Sequence, residues 1–184
     1  GLRNLPFALF MGANDAAYGR NRIAAERAAE LGRLAVADPG GYVHLARLYP
    51  GLGHWMNRQD AEAVPWMARF RRDPWPARVV WEQDDVVHRR FYWLRVPGGV
   101  EVRDRQRLVA TLRDRTITLE GEVNFPVEVR LSDWLLDLDQ QLVVKVGGRE
   151  VFSGRVTRRA RELAASLEER LDPVSAASAV VPVR

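Results

Sequence analysis

Residues 43–56 read Val43-His44-Leu45-Ala46-Arg47-Leu48-Tyr49-Pro50-Gly51-Leu52-Gly53-His54-Trp55-Met56. The run up to Tyr49 has the length and apolar content of a buried strand. The following Gly51-Leu52-Gly53 forms a turn, because glycine tolerates positive φ and close backbone approach. His54 stands at the end of that turn, so strand and glycines together hold one imidazole at the rim of a sheet. A lone loop histidine is more often without a task than with one, and its weight depends on what else the chain brings to the same rim.

The companion lies upstream, in Leu5-Pro6-Phe7-Ala8-Leu9-Phe10-Met11-Gly12-Ala13-Asn14-Asp15. This run is continuously apolar and closes on a glycine and a carboxylate. Continuous hydrophobicity predicts a strand covered on both faces, as in a parallel sheet flanked by helices. Between the two runs, Ile23, Ala24, Arg27, Ala28, Leu31 and Leu34 fall at helical spacing. Alanine-rich content supports a helix over 20–37, and Asp38-Pro39-Gly40-Gly41 ends it. Residues 5–49 thus read as strand, helix, strand, the crossover unit of a parallel sheet. Asp15 and His54 fall just past the carboxyl ends of their strands, the edge where ligand sites gather in open α/β sheets. Asp38, at the helix end, is placed away from that edge.

Strand-Gly-x-x-Asp, helix, then strand-Pro-Gly-x-Gly-His resembles the last third of an α/β-hydrolase. The likeness covers about residues 3–72. It is closest in kind to the dienelactone hydrolase, phospholipase/carboxylesterase and polyhydroxybutyrate-depolymerase-like esterases, whose triads run Ser, Asp/Glu, His along the chain. The resemblance implies that Asp15 is the triad acid and His54 the general base. It implies a small-molecule or lipid-like ester as substrate and no cofactor. In such a triad the carboxylate fixes the imidazole tautomer and the imidazole takes the serine proton.

No Gly-x-Ser-x-Gly occurs in these residues, and the serines are Ser132, Ser153, Ser166, Ser175 and Ser178. The chain begins at Gly1. The expectation is therefore the carboxyl-terminal part of a longer serine hydrolase, unable to hydrolyse esters alone because nucleophile and oxyanion donors are missing. Such a piece exposes a strand edge, so self-association through that edge or through apolar helix faces is expected. The alternative is a non-catalytic interaction or scaffold module.

Composition sets wide limits. The 184 residues hold one domain or two small ones, and 47% apolar content is ordinary for a globular protein. No cysteine is present, which excludes disulfides and thiolate metal sites but decides no compartment. No run is apolar enough to cross a bilayer as a helix. The net charge of +4 arises from 28 basic and 24 acidic residues, interleaved throughout, without the basic stripe that tracks phosphates. Nucleic acid is not an expected partner. The densest patch, Arg69, Arg71, Arg72 and Arg78 with Trp66, Trp75 and Trp81 between, reads as core tryptophans beside a solvated arginine face.

A helix over Ala61–Arg72, capped by Asn57 or Asp60, is expected after His54. Asp73-Pro74-Trp75-Pro76 then marks a boundary, giving an α/β piece over 1–74 and a β-rich domain over 75–184. In the latter, 78–82, 90–96, 107–112, 116–123, 127–131, 142–146 and 150–156 read as strands of a small antiparallel sandwich. Turns are expected at Pro97-Gly98-Gly99, Asp114-Arg115, Asn124-Phe125-Pro126 and, as a type I′ hairpin, Gly147-Gly148. A helix after Thr157, with Ala160, Leu163, Ala164, Leu167 and Leu171 on one face, stops at Asp172-Pro173. Residues 179–183 read as an edge strand tolerant of Pro182.

Asp133, Asp137 and Asp139 lie close together, but interleaved Trp134, Leu135, Leu136 and Leu138 do not fit a calcium loop. They read as a turn with solvated acids, so no metal site is expected. Tyr92, Trp93 and Trp134 read as core rather than as a carbohydrate platform. His44 reads as structural, and His88 shows no partner spacing.

Overall fold

A computed structural model describes residues 1–84, 88–101, 105–121 and 126–183. The chain is mixed α/β with few helices and mostly strands. It divides into two compact units, Gly1–Arg72 and Asp73–Arg184.

In the first unit, β1 (Phe7–Gly12) leads through α1 (Arg20–Ala37) to β2 (His44–Tyr49). The strands pair in parallel, from Phe7 opposite His44 to Gly12 opposite Tyr49. A short 3₁₀ turn, Leu2–Asn4, precedes β1, and Arg3 grips Asp38 at the carboxyl end of α1 with two 2.9 Å hydrogen bonds. Strand β1 is half-buried over Phe7–Met11, not covered on both faces as its apolar run leads one to expect. The reason is size: two strands and two helices exclude too little water to bury a strand completely.

After His54 the chain also departs from expectation. A 3₁₀ segment, Met56–Glu62, is followed by α2, only Ala63–Met67, where a helix over 61–72 was expected. Pro65 lacks an N–H and crowds the carbonyl four residues earlier, while Val64 and Met67 stay exposed. Neither Asn57 nor Asp60 caps a helix; Met56, Asn57 and Arg58 take positive φ in succession.

The second unit contains β3 (Arg78–Glu82), β4 (Arg90–Phe91), β5 (Leu94–Arg95), β6 (Arg107–Arg113), β7 (Thr116–Gly121), β8 (Val127–Leu131), β9 (Leu142–Val146), β10 (Arg149–Gly154), α3 (Ala160–Arg170) and β11 (Ala179–Val183). One sheet runs β10-β9-β7-β6-β3 and the other β11-β8-β5-β4. One apolar cluster draws on both: Val79, Trp81, Leu108, Ala110, Ile117, Leu119, Leu142 and Val144 from the first, Leu94, Val127, Val129, Leu131, Ala179, Val181 and Val183 from the second. Alternation with period two supplies these residues, as a half-buried strand requires. Pairing is antiparallel except between β7 and β9, which run parallel.

Several turns follow local chemistry. Gly147 and Gly148 both take positive φ between β9 and β10, and Asp114 does so between β6 and β7. Val100 N–H donates to the Pro97 carbonyl. Pro182 sits in β11 at a sheet edge. The expected strand at 90–96 is instead a tight hairpin, with Phe91 opposite Leu94 and Tyr92 at φ 53°. That reversal buries Trp93 completely and lets its indole N–H donate to the Pro76 carbonyl at 2.9 Å. Residues 122–123 of the expected strand and Asn124-Phe125 of the expected turn lie outside the described residues.

Helix α3 shows the largest departure. Its cap position is Arg159, not Thr157. Ser166 is its buried residue, while Leu163 is 40% exposed and Leu171 86%. The polar side packs inward and the apolar stripe faces out.

Candidate functional site

The loops after β1 and β2 are bound to each other before any side chain is counted. Ala13 N–H donates to the Tyr49 carbonyl and Asn14 N–H to that of Leu52, both at 2.9 Å. The backbones approach so closely at Gly12 that a Cβ there would overlap the carbonyl oxygens of Leu52 and Gly53. Only glycine fits. Asn21, in the first turn of α1, donates from Nδ2 to the Ala13 carbonyl at 2.8 Å, and its own N–H donates to that of Asp15 at 3.1 Å. These bonds fix the two loops as one rim.

Asp15 and His54 meet on that rim. Nδ1 of His54 lies 2.8 Å from Oδ2 of Asp15. The carboxylate is buried, whereas the imidazole side chain is 55% exposed. Nη1 of Arg20 donates to the same carboxylate, 3.2 Å from Oδ1 and 3.4 Å from Oδ2. The hydrogen bond from His54 is the main influence holding the Asp15 carboxyl below the usual aspartate range; burial opposes it and Arg20 adds to it. An ionised Asp15 accepts from Nδ1–H, which leaves the Nε2 lone pair on the exposed side of the ring. That is the arrangement of a general base with an orienting acid.

Two aromatic residues flank the pair. Trp55 meets the His54 ring edge-on, with centroids 5.2 Å apart, and the Arg20 guanidinium lies 5.1 Å from the centre of the Tyr18 ring. Tyr18 is 88% and Trp55 82% exposed. Tyr18 takes φ 55°, a conformation costly for a bulky residue and worth noting beside a site. Residues 1–72 contain no serine, threonine or cysteine, so this unit supplies no nucleophile of those kinds. Asp38 is engaged by Arg3 at the far end of α1. His44 makes a 2.8 Å hydrogen bond to the Tyr42 carbonyl.

Sequence reasoning did not single out Arg20, Asn21 or Trp55. Arg20 and Asn21 read only as the start of a helix, and Trp55 as the tail of a turn. Their proximity to Asp15 and His54 arises from pairing of the two loops, which no local spacing encodes.

The second unit holds a different polar cluster. Arg130, buried on β8, donates to Ser166 Oγ and lies 3.1 Å from Glu169, which also accepts from Arg90 at 2.6 Å. Ser166 Oγ also accepts from Ala177 N–H at 2.9 Å. Burial, reinforced by the neighbouring Arg90, pushes the Arg130 guanidinium down to about 10. These contacts hold α3 in place. Elsewhere Arg158 bridges Asp133 and Asp139, and Asp137 accepts from Asp139 N–H and Gln140. Trp75, Trp81 and Trp93 are buried and Trp66 is half-buried against Phe70. Trp134 is exposed, against the core reading of its sequence.

Among the described residues, no cluster of His, Cys, Asp and Glu is placed to hold a metal ion, and no helix is long and apolar enough to cross a membrane. Comparison with protein-family models, curated proteins and solved structures gives no match to this chain.

Proposed function

We propose that Asp15 and His54 are the acid and base of a serine-hydrolase triad, and that the chain is the carboxyl-terminal part of an α/β-hydrolase of the carboxylesterase or phospholipase kind. The observation that carries this reading is the 2.8 Å contact between Nδ1 of His54 and the buried Asp15 carboxylate, beyond the carboxyl ends of two paired parallel strands. The acid precedes the base along the chain, as in hydrolases of this order.

In this reading a serine from outside the 184 residues gives its proton to Nε2 of His54 as Oγ attacks an acyl-ester carbonyl. The imidazolium, steadied by Asp15, then protonates the leaving alkoxide, and water repeats the cycle on the acyl-enzyme. Tyr18 and Trp55 offer apolar surface beside the base, suited to the acyl or alkyl part of a lipid-like ester. The 184 residues alone turn over no ester.

The test is fluorophosphonate labelling of the protein expressed from its native gene, read by intact mass. One adduct on a serine upstream of residue 1, strongly diminished in His54→Ala, is expected. An unlabelled product overturns the reading. Turnover of a p-nitrophenyl ester by the 184 residues, lost in His54→Ala, overturns the predicted inactivity of the chain alone.

A further inference from the structure

Asp15 is a buried carboxylate with two oxygens to satisfy, and His54 takes only one of them. Nδ1 of His54 lies 2.8 Å from Oδ2, while Oδ1 accepts from Nη1 of Arg20 at 3.2 Å. Among the described residues no third donor bonds this carboxylate. A carboxylate turns easily about its terminal torsion, whose energy wells are broad, so one hydrogen bond does not fix its plane. A second donor that spans both oxygens does, and Nη1 of Arg20 also lies 3.4 Å from Oδ2. The Asp15 side chain is only 5% exposed, so water is a poor replacement for that donor.

Nothing in α1 itself calls for an arginine at position 20. Arg20 is the first residue of the helix, where the macrodipole disfavours a cation, and the first turn holds no acidic residue to offset it. A residue that breaks a local rule points to a gain elsewhere, and here the gain is the contact with Asp15. The backbone is shaped to make that contact. Tyr18 and Gly19 take φ 55° and 69° in succession, and Asn21 N–H donates to the Asp15 carbonyl at 3.1 Å. This reversal carries Arg20 back to the carboxylate five residues earlier. The Tyr18 ring then covers the guanidinium, whose central carbon lies 5.1 Å from the ring centre. That cation–π contact offsets part of the strain in the left-handed backbone of Tyr18.

We propose that Arg20, steadied by Tyr18, is a positioning residue for the acid–base pair. It fixes the plane of the Asp15 carboxylate, so that Oδ2 stays aimed at Nδ1 of His54 and the Nε2 lone pair stays open. The inference rests on the reading of Asp15 and His54 as acid and base, but it needs no serine, so the 184-residue chain can test it. The Arg20 side chain is 38% exposed, and its replacement leaves no hole in an apolar core.

In NMR of the full chain, the ring nitrogens report the tautomer of neutral His54 and the downfield Nδ1 proton reports its hydrogen bond to Asp15. Arg20→Gln should shorten the exchange lifetime of that proton about tenfold, the effect of losing one charge-assisted hydrogen bond. It should also raise the share of the Nε2–H tautomer, while amide exchange in β1 and β2 stays as it was. Arg20→Lys, which keeps the charge without the planar fork, should recover part of the lifetime. Tyr18→Phe should behave like the unaltered chain, and Tyr18→Ala should shorten the lifetime about threefold. An Nδ1 proton and a tautomer indifferent to Arg20→Gln overturn the proposal. So does a matching loss of amide protection in β1 and β2, which would make Arg20 a tie between α1 and the loop after β1. A lifetime unmoved by Tyr18→Ala overturns the part given to Tyr18. The hydrolase reading fails separately: a native gene product left unlabelled by fluorophosphonate sinks that reading while the imidazole responses stand, and a labelled one whose imidazole ignores Arg20 sinks this inference alone.

Discussion

The two units reach order by different means. Asp73–Arg184 closes two sheets around Trp81, Trp93, Leu94, Ile117, Val129, Val144 and their neighbours, with many of these wholly inaccessible to water. Gly1–Arg72 has only Ala24 and Leu31 as buried apolar residues. Its loops are held by hydrogen bonds and ion pairs instead: Arg3 with Asp38, Asn21 with Ala13, and Arg20 and His54 with Asp15. Apolar burial is the larger source of stability, at about 25 cal/mol per Å². The difference in burial leads one to expect the unit carrying the candidate chemistry to be the less stable one, the usual partition between scaffold and site.

The contrast is broken most strongly by attacking the better-packed side. Trp93→Ala removes a fully buried indole and its hydrogen bond to Pro76, and should cost about 4 kcal/mol. In hydrogen exchange of the full chain, the β8 and β9 amides should lose protection while those of β1 and β2 keep theirs. Equal loss in both units would show that they unfold as one.

A second variant attacks the other side. Gly12→Ala drives a methyl group into the Leu52 and Gly53 carbonyls. Forced accommodation of this kind costs about 2–3 kcal/mol, a larger share of a small core. The first unit should lose exchange protection, and the Nδ1 proton of His54 should vanish from the downfield NMR spectrum, with the second unit unaltered. Persistence of that proton would mean that the loops separate without disturbing the pair.

A smaller effect sharpens the comparison inside the second unit. Glu169→Gln removes the carboxylate shared by Arg90 and Arg130. Loss of a buried partner is costly, but Glu169 is about a third exposed, so about 2 kcal/mol is expected. The loss should appear as faster exchange along α3, leaving the core strands protected. Unchanged exchange in α3 would mean that Ser166 alone holds the helix.

These contrasts also explain what can be read from the chain. The crossover β1–α1–β2 is legible because an unbroken apolar run, an alanine-rich helix and Asp38-Pro39-Gly40-Gly41 each point the same way. Strands β7 and β8 are legible through alternation, and β6 and β11 only through their β-branched and apolar content. The orientation of α3 is not. Periodicity finds its stripe but cannot say which side faces inward, and the cause is Arg130, a buried guanidinium in Val127-Glu128-Val129-Arg130-Leu131 that any pattern rule turns outward. The reversal at Tyr92 is hidden for a related reason: a core position for Trp93 outweighs the β-propensity of its neighbours. The nearness of Asp15 and His54 follows from the glycine turns and the parallel register, whereas Arg20, the third member of the cluster, has no signature of its own.

The smallest effect expected is a response to acid, and it separates the units by charge rather than by packing. In the unfolded chain Asp15 takes up a proton near the ordinary aspartate value of roughly 3.9. In the fold, His54, with help from Arg20, holds it lower. A depressed carboxyl contributes stability that is fully present above the unfolded value and is lost as pH falls through the folded one. Asp133 in the second unit is held low in the same way by Arg158, but there the large apolar core remains when the charge is gone. Below roughly pH 4 the first unit should therefore lose exchange protection before the second. Asp15→Asn should remove that part of the pH dependence, and Arg20→Gln should bring the Asp15 carboxyl titration, followed by carbon NMR, back toward the ordinary value. If the second unit loses protection first, ion pairs rather than the apolar core govern its stability, and the contrast drawn between the two units fails.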